Sequence, residues 1–183
     1  SVKWSNVNLG ASVPEEMGQF YAWGETRSKE TFTVENYRFF ANGTNNITKY
    51  NNTMLYAFDE YGIDNKTVLD PEDDAATMEL RGRWRIPTEE EWNELKNNCK
   101  VEQTTIGNVT GVLFTGKTGN SIFIRNYNEG SYCPDGAIND KYWTSSLSEN
   151  LPIYAKHISI DNQTVKSSDA TRFWGFNIRP VSE

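Results

Sequence analysis

The most informative pattern of apolar and polar positions lies between residues 70 and 95, DPEDDAATMELRGRWRIPTEEEWNEL, and it predicts two helices joined by a short strand. Asp70 is placed to cap the first helix, and Pro71 follows where a helix tolerates proline. Gly82 is placed to end this helix, because glycine readily adopts the left-handed conformation found at helix C-termini. The first helix is therefore expected between Asp70 and Gly82.

The second helix is predicted to begin after Thr88. Glu91 lies three residues later, which is the spacing of a capping box, in which the two side chains satisfy each other's backbone N–H groups. Trp92 and Leu95 would then form an apolar stripe that packs on the rest of the protein. So many local signals in so few residues indicate one tightly specified structural unit.

Strand patterns follow the helices. Residues 109–114 and 121–124 flank a TGKTGN turn and predict a hairpin. Further short strands are expected at residues 2–9, 141–145, 154–160 and 174–180. The order of a loop-rich start, two central helices and then antiparallel strands predicts an α+β protein, with residues 1–183 forming a single domain.

A long irregular segment, residues 27–69, separates the N-terminal region from the helices. Loops of this length inside a small domain are usually functional or disordered. Here the many aromatic side chains favour an ordered loop held against the core, and these are Phe32, Tyr37, Phe39, Phe40, Tyr50, Tyr56, Phe58 and Tyr61.

Composition narrows the possible partners. The chain has 183 residues, of which 37% are hydrophobic, so its 6 Trp, 9 Tyr and 9 Phe are expected to supply much of the core. Its net charge of -7 argues against nucleic-acid binding, which needs a basic face, and against docking on anionic lipid. No apolar run reaches the roughly 20 residues of a membrane helix, so we expect no membrane insertion. The chain is expected to be either cytosolic or a mature fragment whose export signal has been removed.

The sequence provides few groups for metal chemistry. Cys99 and Cys133 are expected to be separate thiols rather than one disulfide, and with His157 as the single histidine no zinc site can be drawn. His157 is expected to be a packing or surface residue. Calcium remains a possible ligand of the acidic cluster at residues 70–74, although acids that stabilise a helix N-terminus explain the same pattern. We therefore predict no cofactor and no catalytic residue.

The C-terminal segment has the composition of a contact surface, because small polar residues surround isolated aromatic rings. Phe173 and Trp174 are expected on opposite faces of a strand, with one of them exposed. The alternative is that Trp143 and Trp174 are core residues, and Trp143 is expected to be one. The predicted ligand-binding residues are Tyr142, Ser148, Glu149, Asn150, Tyr154, Ser168, Asp169, Thr171, Phe173, Trp174 and Asn177. The Asn-rich loop at residues 41–53 is a second candidate.

Seven motifs occur in the order YAWGET, NKTVLDPEDDAA, RWRIPTEEEWNEL, NNC, GNSIFI, YWTSS and FNIRPV. Their succession resembles the major paralogous domain family of Bacteroidetes surface proteins, and the resemblance covers residues 4–181. The segments DAA, RIPTEEEW and GFNIR are also similar to the formylglycine-generating, or sulfatase-modifying, enzymes. This resemblance implies a C-type-lectin-like fold, in which two helices pack on a small twisted antiparallel sheet with long loops.

The sequence departs from both relatives at their functional residues. It lacks the C-terminal cysteine pair of the enzymes, and it lacks the Glu-Pro-Asn or Gln-Pro-Asp and Trp-Asn-Asp motifs of calcium-dependent lectins. The resemblance therefore implies a non-catalytic binding domain, secreted or on the outer-membrane surface, that recognises a glycan or a protein; its oligomeric state is left open. A further hypothesis is that a diversity-generating retroelement varies residues 143–180. The alternatives are a degenerate relative of the enzymes or a structural module of a larger lipoprotein or fibre.

Overall fold

The computed structural model describes residues 2–44, 46–57, 62–126 and 131–183. Within them it has mixed α+β architecture, with two α-helices, α1 (Ala75–Leu80) and α2 (Glu89–Asn98). Short 3-10 turns occupy Ala41–Gly43, Met54–Tyr56 and Pro71–Asp73. The α+β prediction is confirmed at this level.

The described residues form ten strands in three sheets. The first sheet has the order β1–β10–β2, the second β3–β4–β5, and the third β8–β7–β6–β9. All neighbouring strands are antiparallel except β6 and β9, which are parallel. The strands are β1 (Lys3–Trp4), β2 (Trp84–Arg85), β3 (Lys100–Ile106), β4 (Val109–Thr115), β5 (Ser121–Arg125), β6 (Ala137–Leu147), β7 (Tyr154–Asp161), β8 (Thr164–Thr171), β9 (Gly175–Asn177) and β10 (Val181–Ser182).

The predicted start of the first helix is wrong by several residues. Asp70 precedes the 3-10 turn, whereas α1 is capped by Asp74, whose carboxylate accepts a hydrogen bond of 2.8 Å from the Thr77 amide. The same carboxylate accepts a second bond of 2.8 Å from the Ile86 amide, which ties α1 to the chain beyond β2. The cap was therefore decided by this long-range contact, which the local pattern does not contain. The helix ends at Leu80, and its C-cap is Arg81, which has a φ of 59° and precedes Gly82.

The second helix is confirmed. Thr88 and Glu91 form the predicted capping box, and the Glu91 carboxylate also accepts two hydrogen bonds, of 2.8 and 2.6 Å, from the Arg85 guanidinium. Trp92 is buried and packs edge-on against Trp4, with a centroid distance of 4.6 Å. Leu95 is half-buried beside it. Since α2 packs on β6 and β7, it covers one face of the third sheet.

The central residues of the predicted strands are confirmed as strands. The lengths of several strands differ from the prediction, and some observed strands were not predicted. The hairpin at the TGKTGN turn is β4 and β5, and the strand expected at 141–145 extends over all of β6. Two strands were missed: β3, KVEQTTI, and β8, TVKSSDAT, are polar sequences. Both are edge strands with largely exposed side chains, so hydrogen bonding to a neighbouring strand, rather than an apolar pattern, defines them.

The strands predicted at the two ends of the chain are shorter than expected. The pattern at residues 2–9 yields β1, and that at 174–180 yields β9, before the chain continues into β10. β10 lies between β1 and β2, so this small sheet joins the two termini to the helical unit.

The long segment 27–69 is held against the core, as predicted. Five of its aromatic side chains are at most 4% exposed, Tyr56 is half-buried, and Phe58 and Tyr61 lie outside the described residues. The buried five are Phe32, Tyr37, Phe39, Phe40 and Tyr50. Trp143 is also buried, as expected, and its indole N–H donates to the Tyr21 carbonyl at 2.7 Å.

Arg172 connects this segment to the turn between β8 and β9. Its side chain is fully buried, and its carbon Cζ lies 4.8 Å from the Trp23 ring centroid and 5.6–5.7 Å from those of three other rings of the cluster. The guanidinium donates to the Tyr37 hydroxyl and to three backbone carbonyls, those of Lys49, Tyr50 and Pro152. No ion-pair partner of Arg172 occurs among the described residues, so ring faces and carbonyl dipoles stabilise its charge.

We expect Arg172→Lys to lower the free energy of unfolding by about 3 kcal/mol or more. A lysine ammonium cannot reach the four acceptors with the geometry of a guanidinium fork, so buried carbonyls would lose their donors. Urea unfolding followed by tryptophan fluorescence measures the change.

Arg38→Lys is the matched control, because Arg38 lies over the same Phe39 ring but has 54% of its side chain exposed. A lysine at this largely exposed position can keep the ion pair with buried Asp73, so we expect the change to cost less than about 1 kcal/mol. Equal losses in the two variants would contradict a special role for Arg172.

Candidate functional site

The face of the third sheet opposite α2 presents three rows of side chains. The β6–β7–β8 register pairs residues across the strands, and alternation along each strand puts every second pair on this face. The rows are Lys141–Ser159–Lys166, then Trp143–His157–Ser168, then Leu147–Ala155–Ala170. The face therefore changes from charged, through mixed, to apolar along the strands.

A cleft of about 270 Å³ lies on this face. Trp174 and Phe176 form an aromatic wall, and the polar side comes from Lys141, His157 and Ser159, with Ser168 opposite His157 on β8. This combination of ring faces and a few convergent polar groups is typical of small-molecule sites. The cleft is the candidate site of this protein.

His157 is the polar group buried most deeply in the cleft. It is 4% exposed, and its ring centroid lies 5.1 Å from that of Phe176. Its Nδ1 has no hydrogen-bond partner among the described residues. The pKa of His157 is lowered to about 4, chiefly by burial and also by the nearby charge of Lys141, while Asp169 opposes the change. The imidazole is therefore neutral at pH 7 and has one free hydrogen-bonding position.

Trp174 stands beside Phe173 rather than on the other face from it. The two rings stack with centroids 5.2 Å apart and an interplanar angle of 24°, and both are half-buried. The prediction of opposite faces was wrong because these residues form a turn, closed by a 3.2 Å bond from the Trp174 amide to the Thr171 carbonyl, and not a strand. The turn directs the Trp174 ring to the cleft.

Three of the predicted ligand-binding residues are buried and engaged inside the protein, so we correct their assignment. Tyr142 donates to the Arg125 carbonyl, and Asn177 donates to the backbone carbonyls of Met17 and Gln19. Ser148 is 2% exposed and donates to Asp169. None of these three side chains is available to a ligand on the surface.

The remaining predicted residues fall into two groups. Ser168, Asp169 and Trp174 line the cleft, although the Asp169 carboxylate bonds on the other face of the sheet to Lys156, Ser148 and Asn150. The residues that do not line it are Glu149, Asn150, Tyr154, Thr171 and Phe173.

Sequence reasoning missed Lys141, His157 and Ser159 as site residues. The signal was present in the alternating segment YAKHISI, where His157 and Ser159 are two residues apart and therefore share a face. What was missing was the position of α2, which decides which face of the strand stays open.

The acidic cluster is explained by internal ion pairs. Carboxylate oxygens of Asp70, Glu72 and Asp73 lie within 4.8 Å of one another, yet the Lys49 ammonium lies among them, 2.7 Å from Asp70 and 2.5 Å from Asp73. Hydrogen bonds from Lys49, and then from Lys66, lower the pKa of Asp70. The cluster therefore holds the loop around Lys49 to the start of α1.

The thiols and the second candidate surface are also located. Cys99 and Cys133 are separate, half-buried free thiols, as expected, and burial raises the pKa of both. In the Asn-rich loop 41–53, Ile47, Tyr50 and Asn51 are buried, so this loop offers a discontinuous set of exposed side chains. Residue 45 lies outside the described residues.

Comparisons of the chain with protein-family models, curated proteins and solved structures return no match. Among the described residues, no helix is long and apolar enough to cross a membrane. The geometry of the cleft is therefore the basis for assigning a function.

We expect the thermal unfolding midpoint to be the same in millimolar calcium and in EDTA, because the Lys49 ammonium lies among the carboxylates and Arg38 and Lys66 also pair with them. A cation that bound the native protein would raise the midpoint. Differential scanning calorimetry measures both conditions, and a calcium-dependent rise that disappears in Asp70→Asn would contradict this interpretation.

We expect His157 to make the protein less stable as the pH falls below neutral. Its pKa is about 4 in the folded protein against 6.5 for the free side chain, so the unfolded chain takes up the proton first. Above pH 6.5 the histidine is neutral in both states and its titration has no effect on the free energy of unfolding. As the pH falls from 6.5 towards 4, this free energy decreases by up to about 3 kcal/mol.

The measurement is urea unfolding of the native protein and of His157→Asn across this pH range. Carboxylates titrate in both proteins, so the difference between the two curves isolates the histidine. A difference that is independent of pH would contradict the assignment.

Proposed function

We propose that this protein is a non-catalytic binding domain that recognises a glycan in the cleft on the open face of its third sheet. The observation that carries the proposal is the pairing of an aromatic wall, Trp174 and Phe176, with a polar side that includes the unpartnered Nδ1 of buried His157. A sugar ring presents C–H groups on its faces and hydroxyls at its edge, which suits these two sides.

The size and shape of the cleft favour a glycan over a protein ligand. Its volume of about 270 Å³ is close to the lower end, about 300 Å³, of small-molecule sites and suits one sugar unit. A stable protein interface covers about 800 Å² on each partner, and such a partner would have to contact far more than the cleft. A protein ligand is therefore an outcome of the experiment below rather than the proposal.

The surroundings of His157 support binding without catalysis. A serine–histidine–acid arrangement needs a carboxylate that orients the imidazole. Asp169, the carboxylate that lines the cleft, instead bonds Lys156, Ser148 and Asn150. Glycoside hydrolysis needs two carboxyl groups across the bond, and Asp169 is the one acid among the described residues of the cleft lining.

We further propose a C-type-lectin-like fold and a relationship to the Bacteroidetes major paralogous domain family, with the domain secreted or on the outer-membrane surface after removal of an export signal. The two helices, the α2-covered sheet and the motif order support this proposal. If a retroelement diversifies residues 143–180, the variable positions are expected among exposed residues such as Lys166 and Ser168, since buried Trp143 and Arg172 are needed by the fold. A degenerate enzyme relative and a structural module remain the alternatives.

We expect Trp174→Ala to reduce glycan binding at least about fivefold, because stacking on an aromatic ring contributes about 1–3 kcal/mol in comparable ring contacts. The measurement is a glycan array to find ligands, followed by titration calorimetry with the best one. A protein array run in parallel tests the alternative ligand class.

Tyr132→Ala is the control, since Tyr132 is an aromatic residue that is 81% exposed and does not line the cleft. Unfolding midpoints of both variants show that folding is preserved. Binding that survives Trp174→Ala, or that appears on the protein array alone, would overturn the proposed site.

A further inference from the structure

The charged row of the cleft face has no acidic partner among the described residues. Lys141 on β6 and Lys166 on β8 flank Ser159 on β7, in one line across three strands. Neither lysine forms an ion pair within the described part of the chain. This is unusual in a protein with a net charge of -7, where acidic partners are abundant.

The other face of the same strands pairs its lysine. Lys156 Nζ lies 3.2 Å from Asp169, whose other oxygen accepts bonds from Ser148 and Asn150. Although Asp169 borders the cleft, its carboxylate is therefore already bonded on the α2 side of the sheet. The two faces of the third sheet therefore differ: one holds the Lys156–Asp169 ion pair, and the other carries two lysines that have no ion pair among the described residues.

The donors on the open face are close enough to act on one anionic group. Adjacent strands are about 4.8 Å apart, and residues two apart on a strand are separated by about 6.6 Å. Lys141, Ser159 and His157 therefore surround one position at the charged end of the cleft, with an ammonium, a hydroxyl and an imidazole Nδ1 that has no partner. The ammonium and the hydroxyl are donors that match the acceptor sites of a carboxylate or sulfate, and the neutral imidazole also donates there in its Nδ1–H tautomer.

We infer that the cleft binds an acidic sugar, with the anionic group at the Lys141–Ser159–Lys166 row and the sugar ring against Trp174. This inference rests on the proposed glycan-binding function and adds the charge of the ligand to it. The ring wall and the small volume distinguish this ligand from an acidic peptide, which would leave Trp174 and Phe176 without a flat apolar partner. Carboxylated and sulfated sugars share the required chemistry.

The experiment uses matched probes that differ in charge. These are lactose, sialyllactose and sulfated lactose, together with galactose oligomers and galacturonate oligomers, each titrated calorimetrically. We expect acidic probes to bind at least about tenfold more tightly than their neutral partners, since a charge-assisted hydrogen bond contributes about 1.5–3 kcal/mol. Comparing the affinities of the sialylated and galacturonate probes with that of the sulfated probe shows whether the site prefers a carboxylate or a sulfate. The preference should weaken as ionic strength rises.

Lys141→Gln should remove the preference for acidic probes, and Lys141→Arg should retain most of it. Lys100→Gln is the matched control, because it removes the same charge from an exposed position on β3 outside the cleft. Since Lys141 is half-buried at the cleft and not in the core, unfolding midpoints should stay close to that of the native protein.

The outcomes separate this inference from the proposed function. If neutral and acidic probes bind equally and Trp174→Ala abolishes both, the glycan site stands and the inference is overturned. If acidic probes bind more tightly but Lys141→Gln and Lys100→Gln weaken them equally, the preference comes from overall charge, and the inference is also overturned. If no probe binds, or if neither Trp174→Ala nor Lys141→Gln changes the affinity, the proposed function fails together with the inference.

Discussion

The buried guanidinium of Arg172 is the interaction on which the rest of this structure depends. It lies among four aromatic rings and donates to one hydroxyl and three backbone carbonyls, without a carboxylate partner among the described residues. Those acceptors belong to segment 27–69 and to the chain before β7. One side chain therefore holds a long loop without regular structure to the sheet, and it fixes the turn that carries Phe173 and Trp174.

The same constraint explains why a site can form next to it. α2 covers one face of the third sheet through Trp92, which packs with Ile158 and Tyr142. On the other face of β7, Ala155 and His157 are buried, and the cleft lies at the end of this face that carries Ser159. The turn held by Arg172 brings Trp174 to that open face. Arg172 therefore contributes to both the fold and the site. The turn that it holds carries Trp174, and the face of the sheet opposite α2 carries the polar side chains of the cleft.

Local chemistry predicted some parts of this arrangement and could not predict others. The capping box of Thr88 and Glu91 and the hairpin of β4 and β5 follow from neighbouring residues alone. The cap by Asp74 and the burial of Arg172 depend on partners elsewhere in the chain, and the polar edge strand β8 is defined by its backbone pairing with β7 rather than by an apolar pattern. The buried Tyr142, Ser148 and Asn177 were assigned to the surface for the same reason, since residue type indicates polarity but not the face on which a side chain lies.

The pairing of charges separates groups that stabilise the fold from groups that remain for a ligand. Lys49 and Lys156 are held by carboxylates, and Arg172 by carbonyls and rings, so their desolvation is compensated inside the protein. Lys141 and the Nδ1 of His157 have no such compensation among the described residues, although both border the cleft. Leaving a buried polar atom without a partner costs free energy that no contact within the fold returns. A ligand that supplies acceptors at this position would recover it, which is the physical reason to look for binding at the cleft first.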